Sequence, residues 1–138
     1  MADLEFTDAA RGYAMVRAAD ALLRTLGPSE ITLLLPIAVQ QTNADLGLAT
    51  PVVEQVLLSP VVVRSLPSSQ GTGRTRLELL LSASTVAAQA EVRGLESPTD
   101  LFESALGVIQ DSKLLRIESI GSDSFAGVPY LYRVTAVE

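Results

Sequence analysis

The side chains that most often perform catalysis are scarce in this chain. It contains no Cys and no His, which removes thiol nucleophiles, disulfides, the commonest zinc ligands and the usual general base. Ser59, Ser82 and Ser84 therefore have no histidine to activate them, and no G-x-S-x-G segment surrounds them. A serine–lysine pair would need Lys113, the single lysine, which lies in a predicted turn. We expect no nucleophilic catalysis.

Pairs of carboxylates are the remaining groups that could transfer protons. The pairs nearest to each other in sequence are Asp3/Glu5, Glu91/Glu96, Asp100/Glu103 and Glu118/Asp123. None of these pairs lies within an apolar run, the environment that raises a carboxyl pKa and prepares the group for acid catalysis. Asp100 and Glu103 suit the first turn of a helix, where they would complement the helix dipole. The sequence therefore predicts a protein that is not an enzyme.

One segment, Gly71-Thr72-Gly73-Arg74-Thr75, superficially resembles a phosphate-binding loop. It lacks the GxxxxGK[ST] spacing and the lysine, and it precedes a predicted strand instead of opening a helix. The surrounding residues 67–74 are rich in Pro, Ser and Gly, a composition that is typical of flexible segments. We expect a long mobile loop here, and no cofactor or metal.

The composition indicates a surface that other protein covers. Apolar residues make up 48% of the 138 residues, and the mean hydropathy is +0.34. A domain of this size cannot bury so much aliphatic surface within itself, and large exposed apolar patches mark contact sites. An alternative interpretation is that a GC-rich genome enriches Ala, Val and Leu. Subunit contact is the interpretation that we favour.

The charge balance bears on nucleic acids and on location. Sixteen acidic residues against ten basic ones give a net charge of −6, whereas proteins that grip phosphates present a basic face. Specific nucleic-acid binding is therefore not expected, although an acidic surface could line a passage for DNA. Residues 1–5 are acidic where a signal peptide would be basic, and no apolar run is long enough to span a membrane. We expect a soluble protein made in the cytoplasm.

The elements that position these residues begin with a helix over residues 8–26. Thr7 is the predicted N-cap, because its hydroxyl can accept a hydrogen bond from the first turn. Gly27 followed by Pro28 is a common signal for the end of a helix. Apolar residues recur at three- and four-residue spacing and predict one packed stripe: Met15, Ala18, Ala19, Leu22, Leu23 and Leu26.

Residues 30–82 are predicted to be rich in β-structure. Strand-like runs cover residues 30–35, 52–58, 60–66 and 76–82. Ser59-Pro60 could be a bulge, a bend or the break between two strands, since proline cannot donate within a ladder. The mobile loop at 67–74 would join the last two runs into a hairpin.

Two short helices are predicted next. Ser84 would cap the first, over residues 84–93, and Gly94 would end it. Ser97 would cap the second, with Pro98 at its first position, over residues 98–106.

The remaining residues, 107–138, are predicted to form β-strands. Residues 107–110 form one strand, and residues 111–113 turn into a C-terminal hairpin whose own turn covers residues 121–127. Leu115, Ile117 and Ser119 would share one face of its first strand, and Ile120 the other. Alternation in the last strand places four residues in one row: Tyr130, Tyr132, Val134 and Ala136.

Strands outnumber helices in this order, and hairpins join most of them. The fold class is therefore predicted to be α+β: a small antiparallel β-sheet or β-barrel with an N-terminal helix and two short inserted helices. The whole chain, residues 1–138, is interpreted as a single domain.

The C-terminal strands resemble a known family. Residues 109–120, followed by residues 127–134, are similar to the closing strands of small neck proteins of tailed bacteriophages. In those head–tail connector proteins a long mobile loop interrupts a β-barrel, and residues 67–74 match that feature. The N-terminal helix and the helices at 84–106 depart from the minimal barrel. An adaptor, a head-closure (stopper) protein and a tail terminator all remain open.

The resemblance implies a non-enzymatic subunit of a homo-oligomeric ring at the head–tail junction of a phage, prophage or phage-like particle. Its partners would be copies of itself, a portal or adaptor protein, and a tail-tube or tail-terminator protein. DNA would pass without specific binding, and no membrane would be involved. The subunit would be found in the virion, after assembly in the cytoplasm of a bacterial host.

The loop and the two C-terminal tyrosines are the predicted interaction residues. The loop would point into the channel or toward the next ring, and its deletion from 68 to 73 would leave folding intact and block particle completion. The alternative hypothesis is a cytoplasmic binding module that holds a peptide or small apolar ligand at a sheet edge or barrel mouth. The complete set of candidates is Ser68, Ser69, Gln70, Gly71, Thr72, Gly73, Arg74, Tyr130 and Tyr132.

Overall fold

A computed structural model of the chain describes residues 2–26, 29–36, 53–67 and 74–138, with the side chains of the first helix from Ala10 onward. The order of elements is α1 (Ala2–Leu26), β1 (Ser29–Pro36), β2 (Val53–Ser65), β3 (Arg76–Ser82), α2 (Ala83–Val92), α3 (Asp100–Glu103), β4 (Gly107–Gln110), β5 (Lys113–Phe125) and β6 (Val128–Val137). None of the described helices is both long enough and apolar enough to cross a bilayer.

The strands form a closed antiparallel barrel in the order β1-β2-β3-β6-β5-β4. The predicted α+β class, with a barrel and appended helices, is confirmed. Alternate residues of each strand point inward, and the barrel interior is occupied by their buried side chains. The inward set includes Ile31, Leu33, Leu58, Val61, Leu79, Leu81, Val108, Leu115, Val134 and Ala136.

The helices α2 and α3 close one end of the barrel. Val86 of α2 and Leu101 and Phe102 of α3 are fully buried and join the same core. We call this the plugged end. The β2–β3 connection lies at the other end, which we call the loop end.

The first helix is longer than predicted and presents a different side to the barrel. It ends at Leu26 as expected but begins at Ala2, so Thr7 lies inside the helix and is not its cap. Leu23 is buried, whereas Leu22 and Leu26 of the predicted stripe are 60% and 70% exposed. The side of α1 that packs on the barrel therefore includes Leu23 and Gly12 and is rotated away from the centre of the predicted stripe.

Gly12 explains this rotation, because α1 touches the β5–β6 hairpin there through its backbone. A Cβ at this position would lie 2.5 Å from Val128 Cγ2 and 3.1 Å from the Phe125 carbonyl oxygen. Two turns further along, Asp20 accepts a hydrogen bond from Ser84 Oγ at 2.6 Å and another from Ser82 Oγ. These contacts fix α1 to the hairpin and to the start of α2.

Ser59 and Pro60 lie within one continuous strand. β2 runs through both residues, and the peptide bond between them is cis. The pairing with β1 shifts register between Ser29 and Ile31, opposite this point. Of the three interpretations left open by the sequence, an irregularity inside a single strand is correct.

The second helix starts one residue earlier than predicted and has a different cap. Ser82, not Ser84, is the N-cap, and its Oγ accepts a hydrogen bond from Thr85 N at 3.5 Å. Ser84 instead donates to Asp20. Gly94 follows the helix with a φ of +67°, the left-handed conformation that favours glycine after a helix end, as predicted.

The predicted helix over residues 98–106 is wrong in length, since α3 is a single turn. Ser97 is not its cap: the Asp100 carboxylate instead accepts a hydrogen bond from Ser97 N at 3.2 Å. The helix stops because the chain enters the sheet, where Leu106 N donates to Leu34 O at 2.8 Å.

The C-terminal hairpin has a shorter turn than predicted. The turn is Ala126-Gly127, whose φ angles are 51° and 77°, and residues 121–125 belong to β5. The register of β5 against β6 shifts between Ile117 and Ser119. Because of this bulge, Ile120 packs against the core and Ser119 is exposed, which reverses their predicted faces.

Candidate interaction surface

The predicted contact loop joins β2 to β3 at the loop end. Residues 68–73 lie outside the described residues, so their role stays a prediction. Pro67 and Arg74 on either side are exposed. Next to them Leu66 N donates to Arg76 O at 2.8 Å, so the end of β2 and the start of β3 are hydrogen-bonded to each other.

Polar groups meet beside this loop. Lys113 Nζ donates to Thr75 Oγ1 at 3.3 Å, and Glu138 N donates to Thr75 O at 2.9 Å. Thr75 N donates to Glu138 Oε2 at 3.4 Å, and the hydrogen bonds from Thr75 hold the pKa of Glu138 below its usual value. Ser82 and Ser84 lie at the opposite end of β3, so the structure does not bring Lys113 to either serine.

Three of the carboxylates considered for acid–base chemistry have structural partners. Asp100 accepts a backbone N–H beside its own helix turn. Asp123 accepts a hydrogen bond from Arg133 Nε at 2.8 Å, and Glu118 lies 3.4 Å from Arg76 Nε. These contacts assign the three groups to the stability of α3 and of the barrel wall.

The other carboxylate pairs form no site that the structure describes. Glu91 and Glu96 are both exposed, and the side chains of Asp3 and Glu5 lie outside the described residues. Within the described ranges, no three acidic side chains converge in a way that could hold a metal ion.

The two candidate tyrosines occupy different positions. Tyr132 is 3% exposed and packs near Phe102, with 6.3 Å between the ring centroids. Burial raises the pKa of the Tyr132 phenol. Tyr130 is half-buried. The structure therefore places Tyr132 in the core at the plugged end of the barrel, and of the two tyrosines only Tyr130 is partly exposed.

One side of the barrel carries a network of ion pairs. Arg64 and Glu78 are direct cross-strand partners, and their side chains meet at 2.8 Å. Arg133 lies 3.8 Å from Glu78 and 2.7 Å from Asp123, and its hydrogen bond with Asp123 raises the pKa of Arg133. We call these four residues, which span β2, β3, β6 and β5, the ion-paired face.

The first helix lies on this same side of the barrel. It packs most extensively against β6 and also against β2 and β3. Next to the ion-paired face, the outward-facing apolar residues of those strands include Val62, Leu80 and Leu131, and all three are half-buried. The outer surface on this side of the barrel therefore consists largely of paired charges and of apolar residues next to α1.

The opposite side of the barrel is aliphatic. β1 is three strands from β6 in either direction around the barrel, and no helix in the described part of the chain packs extensively on β1 or β4. Four residues lie directly opposite one another across β2, β1, β4 and β5: Leu57, Thr32, Ile109 and Leu114. Leu57 and Leu114 are 56% and 62% exposed. We call this row, together with Leu34, the aliphatic face.

The aliphatic face is continuous because Gly107 leaves room for a leucine. A Cβ on Gly107 would lie 3.1 Å from Leu114 Cδ1 and 2.9 Å from the Leu115 carbonyl oxygen, so the Leu114 side chain lies over the glycine. Leu34 is the cross-strand partner of Gly107, and Leu106 beside it is 59% exposed. Aliphatic surface therefore extends from β1 to β5 without a gap.

One end of the aliphatic face is acidic. Glu30 precedes Thr32 by two residues in β1, and Asp111 follows Ile109 by two residues. Thr32 and Ile109 form the last cross-strand pair of β1 and β4, and beyond it Glu30 continues β1 while Asp111 lies in the turn after β4. Both are exposed.

The outer side of α1 is both apolar and basic. Ala18, Leu22 and Leu26 are exposed and follow one another at helical spacing; we call them the helix stripe. Every exposed charged residue in the described side chains of α1 is an arginine: Arg11, Arg17 and Arg24.

Sequence reasoning missed the aliphatic face. Leu57, Ile109 and Leu114 alternate with inward-facing residues, and that alternation was the available signal. What the sequence does not provide is the pairing of β4 with β1, which joins the β1–β2 pair to the β4–β5 pair in one row of four strands.

Comparisons of the chain with known protein families, with curated proteins and with solved structures found no match.

Proposed function

We propose that this protein is a structural ring subunit of the head–tail junction of a tailed phage, a prophage or a phage-like particle, joining a portal or adaptor protein to the tail. The observation that carries the proposal is the aliphatic face. The fold of the barrel leaves more than half of Leu57 and of Leu114 exposed. Exposed apolar patches of this kind mark contact sites.

Two further observations support the proposal. The barrel has a plugged end and a loop end with different surfaces, which suits a subunit that contacts one protein above and another below. The net charge of −6 disfavours adhesion to phosphates, which suits a ring through which DNA passes.

The test is the composition of particles from a producing strain. We expect this protein to co-purify with intact particles at a fixed ratio to the portal protein. A strain that lacks it should accumulate filled heads and separate tails. A normal yield of infectious particles from that strain would refute the proposal.

A second candidate function, peptide binding at a sheet edge, has one observation in its favour. β4 pairs only with the first three residues of β5, so from Arg116 to Phe125 one edge of β5 has no partner strand among the described residues. This edge contains two register shifts and the charged residues Glu118 and Asp123, features by which proteins block unwanted strand pairing. The aliphatic face is therefore the stronger site.

The mass of the protein after gentle purification distinguishes the two candidates. A monomer that retains a bound peptide would favour the binding module. Protein that forms a closed ring, without a peptide, would favour the junction subunit.

A further inference from the structure

The aliphatic face and the helix stripe lie on opposite sides of one molecule and complement each other. We propose that the helix stripe of one copy packs across the aliphatic face of the next copy, so that the occupant of this face is a second copy of this chain. The inference rests on the proposed function, and it names the contact that would join neighbouring subunits.

The dimensions of the two surfaces agree. The row from Leu57 to Leu114 crosses four strands, and three interstrand spacings of about 4.8 Å make it roughly 14 Å wide. A helix with its side chains is about 10 Å across, so one helix fits on this row. Leu22 and Leu26 would then contact Ile109 and its neighbours, and the contact would cover the exposed parts of all these side chains.

The charges at the edge of the contact also agree. Arg11 precedes Leu22 by eleven residues, which is about three turns, and therefore lies on the same side of α1. Glu30 and Asp111 are exposed at one end of the aliphatic face. A helix laid on that face can bring Arg11 to these carboxylates, and complementary charges favour the correct register and partner.

The two basic residues at the start of β5 have neighbours of their own. Lys113 Nζ donates to Thr75 Oγ1. Arg116 lies beyond Leu114, where its cross-strand partner is Val137 of β6.

A symmetric contact between two aliphatic faces is less favourable. Each face carries Glu30 and Asp111, so a twofold pairing would oppose acidic groups of two chains that each have a net charge of −6. It would also leave Leu22 and Leu26 exposed. A contact between two different surfaces on opposite sides of a subunit instead propagates head to tail, and it closes into a ring when the rotation permits.

The chain contains no cysteine, so single introduced thiols report the contact without interference. Three variants are prepared: Leu22→Cys on the helix stripe, Leu114→Cys on the aliphatic face, and Arg64→Cys on the ion-paired face as a matched exposed control. Each variant alone, and each pair of variants mixed, is treated with a short bis-maleimide linker. The reaction is run on the purified protein and on the particle fraction from cells that produce both variants.

The mixture of Leu22→Cys and Leu114→Cys should give cross-linked dimers in at least about tenfold excess over any mixture with Arg64→Cys, because a specific contact raises the effective concentration of the two thiols. Predominant cross-linking of Leu114→Cys to itself would overturn the proposal in favour of a symmetric contact. Equal cross-linking in all mixtures would also overturn it. If the protein occurs in particles but the expected pair does not react, this contact fails while the proposed function stands; if it is absent from particles, the proposed function fails as well.

Discussion

The ion-paired face and the aliphatic face are built on the same barrel by the same alternation of side chains, yet they differ in what completes them. On the ion-paired face, Arg64, Glu78, Arg133 and Asp123 neutralise one another across four strands, and α1 covers the adjoining apolar residues. On the aliphatic face, nothing in the described part of the chain performs either role.

A single strand can contribute residues to both faces. The first half of β2 contributes Leu57 to the aliphatic face, and its second half contributes Arg64 to the ion-paired face. β5 likewise contributes Leu114 and Asp123. Strand propensity therefore does not explain the leucines, since the same strands accept charges at equivalent outward positions. Among the described residues, one side of the barrel therefore carries paired charges and a packed helix, whereas the other carries exposed leucines.

The largest expected effect is the difference in unfolding free energy lost when an inward-facing leucine and an outward-facing leucine are each replaced by alanine. Leu33 is fully buried, and Leu33→Ala should lower the free energy of unfolding by about 2–5 kcal/mol, the usual result of a core cavity. Leu57→Ala, on the adjacent strand, should change it by no more than about 0.5 kcal/mol in the monomer. Urea denaturation at low protein concentration measures both. Equal losses would mean that Leu57 belongs to the core.

The next effect concerns association. The double variant Leu57→Ser/Leu114→Ser should weaken self-association by roughly 30-fold, equivalent to about 2 kcal/mol, because two leucines would no longer be buried at the contact. Its matched control is Arg64→Ser/Arg133→Ser on the ion-paired face, which should associate like the wild type. Sedimentation equilibrium measures both dissociation constants. A control that weakens association more than the leucine variant does would contradict the proposal that the aliphatic face forms the contact.

Much of the barrel follows from the sequence, and its outer surface does not. Strands β1, β3 and β4 match their predicted runs closely, because period-2 alternation and flanking turn residues are local signals. The failures have non-local causes. Gly12 rotates α1 toward Val128, more than a hundred positions away, and the bulge after Ile117 exchanges the faces of Ser119 and Ile120. The aliphatic face needs the register of four strands, which no local pattern encodes.

A smaller effect is expected where α1 meets the hairpin. Gly12→Val should push the helix away from Val128. Overpacking of this kind lowers the free energy of unfolding by about 1–3 kcal/mol. Limited trypsin digestion should then cleave faster after Arg11 and Arg17. Ala14→Val, on the exposed side of the same helix, is the matched control and should digest at the wild-type rate. Equal digestion of both variants would contradict the observed packing of α1.

The smallest effect is expected on the ion-paired face. Arg133→Ala should reduce stability by about 0.2–1 kcal/mol, the usual contribution of partly exposed ion pairs. The loss should shrink as salt is added, because salt screens exposed charges. Denaturation at low and at high ionic strength measures both values. A loss that is large and independent of salt would show that Arg133 acts through packing and not through charge.

The labelling rate of introduced thiols tests the covering of the aliphatic face most directly. Leu57→Cys, Leu114→Cys and Arg64→Cys proteins are labelled with a small maleimide, first as dilute protein and then after assembly into particles. The two thiols on the aliphatic face should be labelled rapidly in the dilute protein and become protected after assembly, while the thiol at position 64 keeps its rate. Rates at positions 57 and 114 that are unchanged by assembly would contradict the proposal that another protein subunit covers this face.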